Sequence, residues 1–228
     1  MFDRFGGGGL GDIVVRLGEV IFNLTGAAMR AYAKRRLVAL ALALISHMGG
    51  TPALAGEPLE LVKSVAERVI AILKDPKLQA PDKKKERVER LKEIINPIFD
   101  YEEMARRTLG THWRRRSPAE QQEFLKLFHA FLETVYAEKV DLYEGERAVF
   151  GRETTDQDYA EVESKVTNGK GEESPVVYRL KRTDGKWKVY DAVVANISIV
   201  NNYRSQFDRV ITKSSFDELK KLLREKGA

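Results

Sequence analysis

The side chains of this chain that could do chemistry are three histidines, one acidic cluster and one run of arginines. His112 lies beside Trp113 at a helix junction, His129 lies next to Phe128 on a helical stretch, and His47 falls in a segment read below as a secretory signal. They form no ligand pair by spacing, so a structural role fits the two later ones better than catalysis. Asp156, Asp158, Glu161 and Glu163 could coordinate Ca²⁺ in principle. They lack the glycine and spacing of a calcium loop, and they alternate as the outward face of a strand does. Arg114-Arg115-Arg116 is the densest basic cluster after residue 55. It reads either as a solvated turn or as a surface for anionic headgroups or an acidic partner. There is no nucleophile elbow, no Gly-rich phosphate loop and no metal spacing. With no cysteine, disulfides and thiolate metal sites are also absent. These residues predict a protein that is not an enzyme and carries no metal and no cofactor.

Charge narrows the partners. The chain of 228 residues has a formal net charge of +5. Residues 1–55 hold six Lys/Arg against three acids, so the remainder is close to neutral at +2. A nucleic-acid binder keeps its basic excess in the folded domain, and this chain does not.

Residues 29–55 read as a secretory signal. Lys34-Arg35-Arg36 is a basic front, Leu37–Ile45 is an apolar run, and Ala53-Leu54-Ala55 is a small-x-small cleavage pattern before Gly56. The nine apolar residues are too few to span a hydrocarbon core, which takes about 20. The alternatives are a buried core helix or a short anchor. Residues 1–28 fit poorly before such a signal, and either Met1 or Met29 could be the start. The expected organisation is a leader of uncertain status (1–28), a signal peptide cleaved after Ala55 (29–55), and one periplasmic domain (56–228).

Within that domain the first half has helical periodicity. Val62, Val65, Ala66, Val69, Ile70 and Leu73 recur at i, i+3, i+4, and Asp75-Pro76 ends the stripe. Val88, Leu91, Ile94 and Ile95 form a second face, broken at Asn96-Pro97. Asp100 with Glu103, and Ser117 with Glu120, are capping-box pairs that open a short and a long helix. After Gly145 the period changes to two, and Asp184-Gly185 is a hairpin signal. Two helices close the chain. The predicted fold class is α+β: N-terminal helices and two C-terminal helices packed on one face of a curved, mainly antiparallel four-stranded sheet enclosing an apolar cavity.

Two long segments carry a family resemblance. FDYEEMARRTLGTHWRRRSPAEQQEFLKLF (Phe99 to Phe128) and WKVYDAVVANISIVNNYRSQF (Trp187 to Phe207) resemble segments of the MlaC, or toluene-tolerance, family of periplasmic phospholipid-binding proteins. The second is similar to that family's "WKVYDV…GVSLV…NYRSQF" signature. Asn196 stands where the family pattern usually has Gly, at a bend where a left-handed residue is needed. A related branch is associated with hopanoid metabolism, and these motifs leave a hopanoid-associated lipid-binding relative as an alternative.

The resemblance implies a soluble, monomeric periplasmic carrier of glycerophospholipid. Such a carrier works between an inner-membrane ABC transporter complex and an outer-membrane lipoprotein–porin complex, and maintains outer-membrane lipid asymmetry. On that basis the expected acyl-chain contacts are Phe128, Leu132, Tyr136, Val166, Tyr178, Trp187, Val189, Val193, Ile199, Val200, Tyr203 and Phe207. Tyr203 and Arg204 are expected at the mouth, near the headgroup. The alternative function is a periplasmic isomerase or hydratase on a cone-shaped α+β fold, which would need a carboxylate, His or Tyr of shifted pKa in the pocket.

Overall fold

Pro58 in the first turn and the Val62–Leu73 stripe produce helix α1 (Glu57–Lys74) in the computed structural model, which describes residues 56–140, 143, 145–168 and 171–227. The expected leader and signal peptide lie outside the described residues. Asp75 ends α1 and accepts from the Lys77 amide at 2.9 Å, starting a 3₁₀ turn at Pro76–Leu78. A second such turn at Pro81–Lys83 leads into α2 (Lys84–Ile95). Helix α3 (Tyr101–Leu109), a 3₁₀ turn at Gly110–Arg115 and α4 (Pro118–Lys139) follow.

Ser117 and Glu120 form the reciprocal capping box the sequence predicts. Asp100 caps the Glu103 amide at 2.9 Å, but the return bond is missing. The Glu103 carboxylate is taken instead by Arg106, Arg107 and Lys181. Three cations outcompete one backbone amide for it.

The strands are β1 (Arg147–Asp156), β2 (Tyr159–Thr167), β3 (Glu173–Thr183), β4 (Lys186–Val194) and β5 (Ile197–Ser198), in the order β1-β2-β3-β4-β5 with every pair antiparallel. The curved sheet thus has five strands among the described residues, where the sequence predicts four. Ala195 and Asn196 both take positive φ, 48° and 67°. Two left-handed residues in succession make a tight hairpin that returns the chain onto β4, pairing Val193 with Ser198 and Val194 with Ile197. The expected bend at Asn196 is therefore a hairpin turn. Helices α5 (Ile199–Lys213) and α6 (Phe216–Lys226) complete the fold, confirming the α+β class.

Two apolar cores result. On the sheet side, Val62 of α1 and Ile98 pack on Ala160, Val162, Leu180, Trp187 and Val189. On the helical side, Phe124, Phe128 and Phe131 of α4 meet Tyr203 and Phe207 of α5 and Phe216 of α6, with ring centroids 5.5–6.1 Å apart.

Buried polar groups join the layers. The Ile98–Asp100 segment bridges β4 through Asp100 N–H to Val189 O and Val189 N–H to Ile98 O, both 2.8 Å. Asp100 also accepts from the Thr183 hydroxyl at 2.9 Å. Asp191 on β4, 2% exposed, accepts from the Ser198 hydroxyl at 2.6 Å and the Val200 amide at 3.0 Å. It thereby satisfies the N-terminus of α5 from within the sheet.

Burial raises the pKa of Glu103, but hydrogen bonds from Arg107, Lys181 and Arg106 outweigh it and hold the carboxyl below its ordinary value. A carboxyl whose folded pKa is depressed adds stability above its unfolded pKa and loses it as pH falls through the folded value. The stability that Glu103 adds over a Glu103→Gln variant should therefore be full above pH 4.5, the ordinary value, and fade below it. Urea titrations of both proteins across that range check this; a difference independent of pH would refute the linkage.

Candidate functional site

Helix α1 covers the sheet with a face of small and branched side chains. Val65, Ala66, Val69, Ile70 and Leu73 carry no aromatic ring, so they do not fill the space beneath them. A cavity of about 520 Å³ is left between α1, the end of α2 and the sheet. Its floor is Val166, Tyr178 and Val189, with Ile95, Ile98 and Phe99 at one side and Tyr143, Glu146, Arg147 and Ala148 at the other. Two smaller spaces adjoin it. One of about 220 Å³ shares Val69, Leu73 and Ile95 with the large cavity and is closed by Val88, Leu91 and Tyr136. The other, about 340 Å³, shares Leu73 and Tyr143 and is lined by Gln79, Lys84 and Arg87.

Tyr136 and Tyr178 lie in these walls. Tyr136 has 37% of its surface accessible, yet its hydroxyl is pushed up to about 12, first by burial and then by the Asp191 charge. The two facts agree if the accessible surface faces an internal space. Burial also raises Tyr178, against a hydrogen bond with Ser164 that lowers it. At the polar end of the small cavity, Tyr101 donates to Asn96 Oδ1 at 2.8 Å, and Asn96 Nδ2 donates to Glu133 Oε1 at 2.8 Å. Glu133 also pairs with Lys92 at 3.2 Å. Burial raises its pKa, while Asn96, Lys92 and His129 more than offset this and leave it lowered.

The structure divides the expected contact residues. Val166, Tyr178 and Val189 line the large cavity, and Tyr136 lines the small one. Phe128, Leu132, Val200, Tyr203 and Phe207 pack inside the helical core, each 4% exposed or less, and line none of these three spaces. Trp187 sits in the sheet core, its indole under the Arg182 guanidinium at 4.6 Å. Val193 and Ile199 are half-buried at the β4–β5–α5 corner and line none of the three either. The physical reason is that the aromatic stripes of α4 and α5 face each other, and helical periodicity cannot say what a stripe faces.

The expected mouth residues are displaced in the same way. Tyr203 stacks against Phe207 at 5.6 Å inside the core. Arg204 is exposed but lies across the turn after α3. Gly110 is what admits it there: its φ is +54°, and a Cβ would sit 2.8 Å from Arg204 Nε. The cavity-lining residues that the sequence reading did not single out are those of the α1 face. Their signal was visible as a helix face of Val, Ala, Ile and Leu opposite a sheet, with no ring to close the gap.

The other chemical candidates are structural. His112 Nε2 is 2.8 Å from Asp208 Oδ1, and His129 stacks on Tyr101 at 4.0 Å. Asp156, Asp158, Glu161 and Glu163 are exposed, and Glu161 pairs with Arg179 at 2.9 Å. No metal-holding cluster of His, Asp or Glu occurs among the described residues. Arg116 lies over the Phe216 ring at 4.3 Å, while Arg114 and Arg115 point to solvent.

This architecture has relatives. A family model described as MlaC protein matches residues 63–225. The intermembrane phospholipid transport system binding protein MlaC of Haemophilus influenzae is 23% identical over 128 residues, which cover 54% of this chain and 60% of that relative. The match thus spans about three fifths of that relative's length. In three dimensions, a phospholipid-binding protein from Ralstonia solanacearum, solved in complex with a phospholipid, superposes with a TM-score of 0.64 at 25% identity. That superposition covers 75% of this chain and 97% of the other. A family match over most of the chain, with the same fold, assigns it: this protein belongs to the MlaC family.

Proposed function

We propose that this protein is a periplasmic phospholipid carrier that shields acyl chains in the cavity beneath α1 and moves lipid between membranes without chemical change. The observation that carries the reading is the 520 Å³ space walled by aliphatic side chains in a member of the MlaC family. The phospholipid found in the Ralstonia relative supports the same ligand class. Moving two acyl chains through water costs about 0.8 kcal/mol per CH₂, on the order of 20 kcal/mol in all. A carrier must match a bilayer interior rather than make a few strong contacts. A wall of Val, Ala, Ile and Leu does so without reading chain length closely. No helix among the described residues is long and apolar enough to cross a membrane.

On this reading the processed protein starts near Gly56 and works as a monomer. It takes and delivers lipid at an inner-membrane ABC transporter complex and an outer-membrane lipoprotein–porin complex, sustaining outer-membrane lipid asymmetry. Val166, Tyr178 and Val189 form the floor of its lipid site, α1 the roof, and Tyr136 the end of the side chamber.

The protein purified from the periplasm without detergent should carry phospholipid by native mass spectrometry. A folded, empty protein that also fails to extract lipid from vesicles would sink the carrier reading.

Two substitutions separate the cavity from the core. Ala66→Trp projects an indole into the large cavity and should cut lipid occupancy several-fold with little change in thermal stability. Val200→Trp inserts the same ring into a close-packed core, where overpacking costs about 1–3 kcal/mol or more. It should lower the melting temperature first. Equal occupancy in wild type and Ala66→Trp would place the lipid elsewhere.

A further inference from the structure

The turn between α3 and α4 is fastened on both flanks. His112 Nε2 lies 2.8 Å from Asp208 Oδ1 on α5. Arg116 lies over the Phe216 ring of α6 at 4.3 Å. From α4, the Gln121 side-chain amide donates to the carbonyls of Trp113 at 3.0 Å and Arg116 at 3.2 Å. A short segment tied to three helices is held in one shape.

Between those ties stand three side chains that the ties do not use: Trp113, Arg114 and Arg115. Arg114 and Arg115 are exposed, and neither makes an ion pair, hydrogen bond or ring contact among the described residues. The Trp113 indole is half-buried, and its N–H has no hydrogen-bond partner among the described residues. Arg204 lies against the start of the same turn at Gly110. The acids beside the turn are fewer. Asp208 is held by His112, and Glu120 faces Arg116 at 3.7 Å, so that pair cancels. Three arginines against Asp208 leave an excess of two, equal to the net charge of residues 56–228 as a whole. The rest of the domain is therefore balanced, and this tip is its positive end.

We propose that the Trp113–Arg115 tip docks the protein on an anionic lipid bilayer. Basic clusters are drawn to anionic headgroups, and a guanidinium matches phosphate oxygens in a fork. A tryptophan beside them suits the headgroup level, where its apolar body and its N–H both find partners. A protein partner's strongest contacts sit in well-packed pockets, and the tip lines none of the three spaces described above. A bilayer needs no pocket, since it presents a continuous layer of phosphates. The choice of a bilayer rests on the carrier reading, in which the cargo is drawn from one. Two free arginines give a weak, salt-sensitive contact, and a shuttling protein must be able to leave.

The test uses the full processed protein and vesicles of phosphatidylcholine with and without phosphatidylglycerol, with binding read by co-sedimentation. Wild type should bind the phosphatidylglycerol vesicles in preference, and less as salt rises. Replacing Arg114 and Arg115 by Gln should weaken that binding about five-fold for each arginine, about twenty-five-fold for both. Lysine at both positions should keep most of it. Both side chains are exposed, so these variants should melt with wild type. Trp113 emission should shift to the blue on binding, a shift that Trp113→Phe abolishes, because the chain's other tryptophan, Trp187, is buried.

Binding that ignores phosphatidylglycerol, or a double Gln variant that binds as wild type does, overturns the proposal. So does a wild type that ignores both vesicles yet binds polyglutamate, which assigns the tip to an acidic protein face instead. Lipid carried off by the protein, read by mass spectrometry, reports on the carrier reading separately. Docking without extraction leaves the proposal standing and fails that reading, and extraction without charge-dependent docking does the reverse.

Discussion

The space under α1 is the constraint around which the fold is arranged. Protein interiors close-pack, and a void is destabilising in proportion to its volume. At about 24 cal/mol per Å³, a sealed, dry cavity of 520 Å³ would cost on the order of 10 kcal/mol, comparable to a domain's whole stability. A fold that keeps such a space must hold its walls apart rigidly and fill the space in its working state. The first demand is visible here. The β1 bulge between Phe150 and Glu153 turns Glu153 onto the start of α1, where it accepts from the Leu59 amide at 2.9 Å. Gly56 leaves room for that carboxylate, since a Cβ there would collide with it. At the far side, Ile98–Asp100 is stitched to the edge of β4. The roof is thus tied at its start, and the segment after α2 is tied to the sheet.

The large side chains that could have closed the gap are committed elsewhere. Phe124, Phe128, Phe131, Tyr203, Phe207 and Phe216 pack edge-to-face and stacked among α4, α5 and α6. Each of these rings is 5% exposed or less. The α1 side, built from aliphatic side chains, presents a wall without rings. Aromatic rings fill one side of the fold, and an aliphatic wall lines the space on the other.

The segment from Trp187 to Phe207 connects the two halves. Trp187 and Val189 belong to the sheet core, Val200, Tyr203 and Phe207 to the helical one, and Asp191 joins them. One carboxylate reaches Ser198, Val200 and, at 3.4 Å, Arg179. It couples β3, β4 and the start of α5 across the Ala195–Asn196 hairpin. Ala195 at positive φ is strained for a residue with a Cβ, and the bonds from Ser198 and Val200 to Asp191 across the turn hold it there.

By itself, the sequence determined whatever depends on neighbours along the chain. The i, i+3, i+4 stripe of α1, the Ser117–Glu120 cap, the alternation of Ala160, Val162 and Ser164, and the Asp184-Gly185 hairpin are local and appeared where expected. Two long motifs gave the family for the same reason, being contiguous. The fifth strand was not legible, because a two-residue ladder depends on a turn through Ala195, a residue that rarely takes positive φ. The Asp100–Glu103 box failed because Lys181, 78 residues away, completes the Glu103 network. At Phe128, Tyr203 and Phe207, period and bulk mark a side chain as inward, but only tertiary packing decides between a filled core and an open cavity. Here the aromatic faces found one another, and the plain aliphatic face of α1 was left over the empty space.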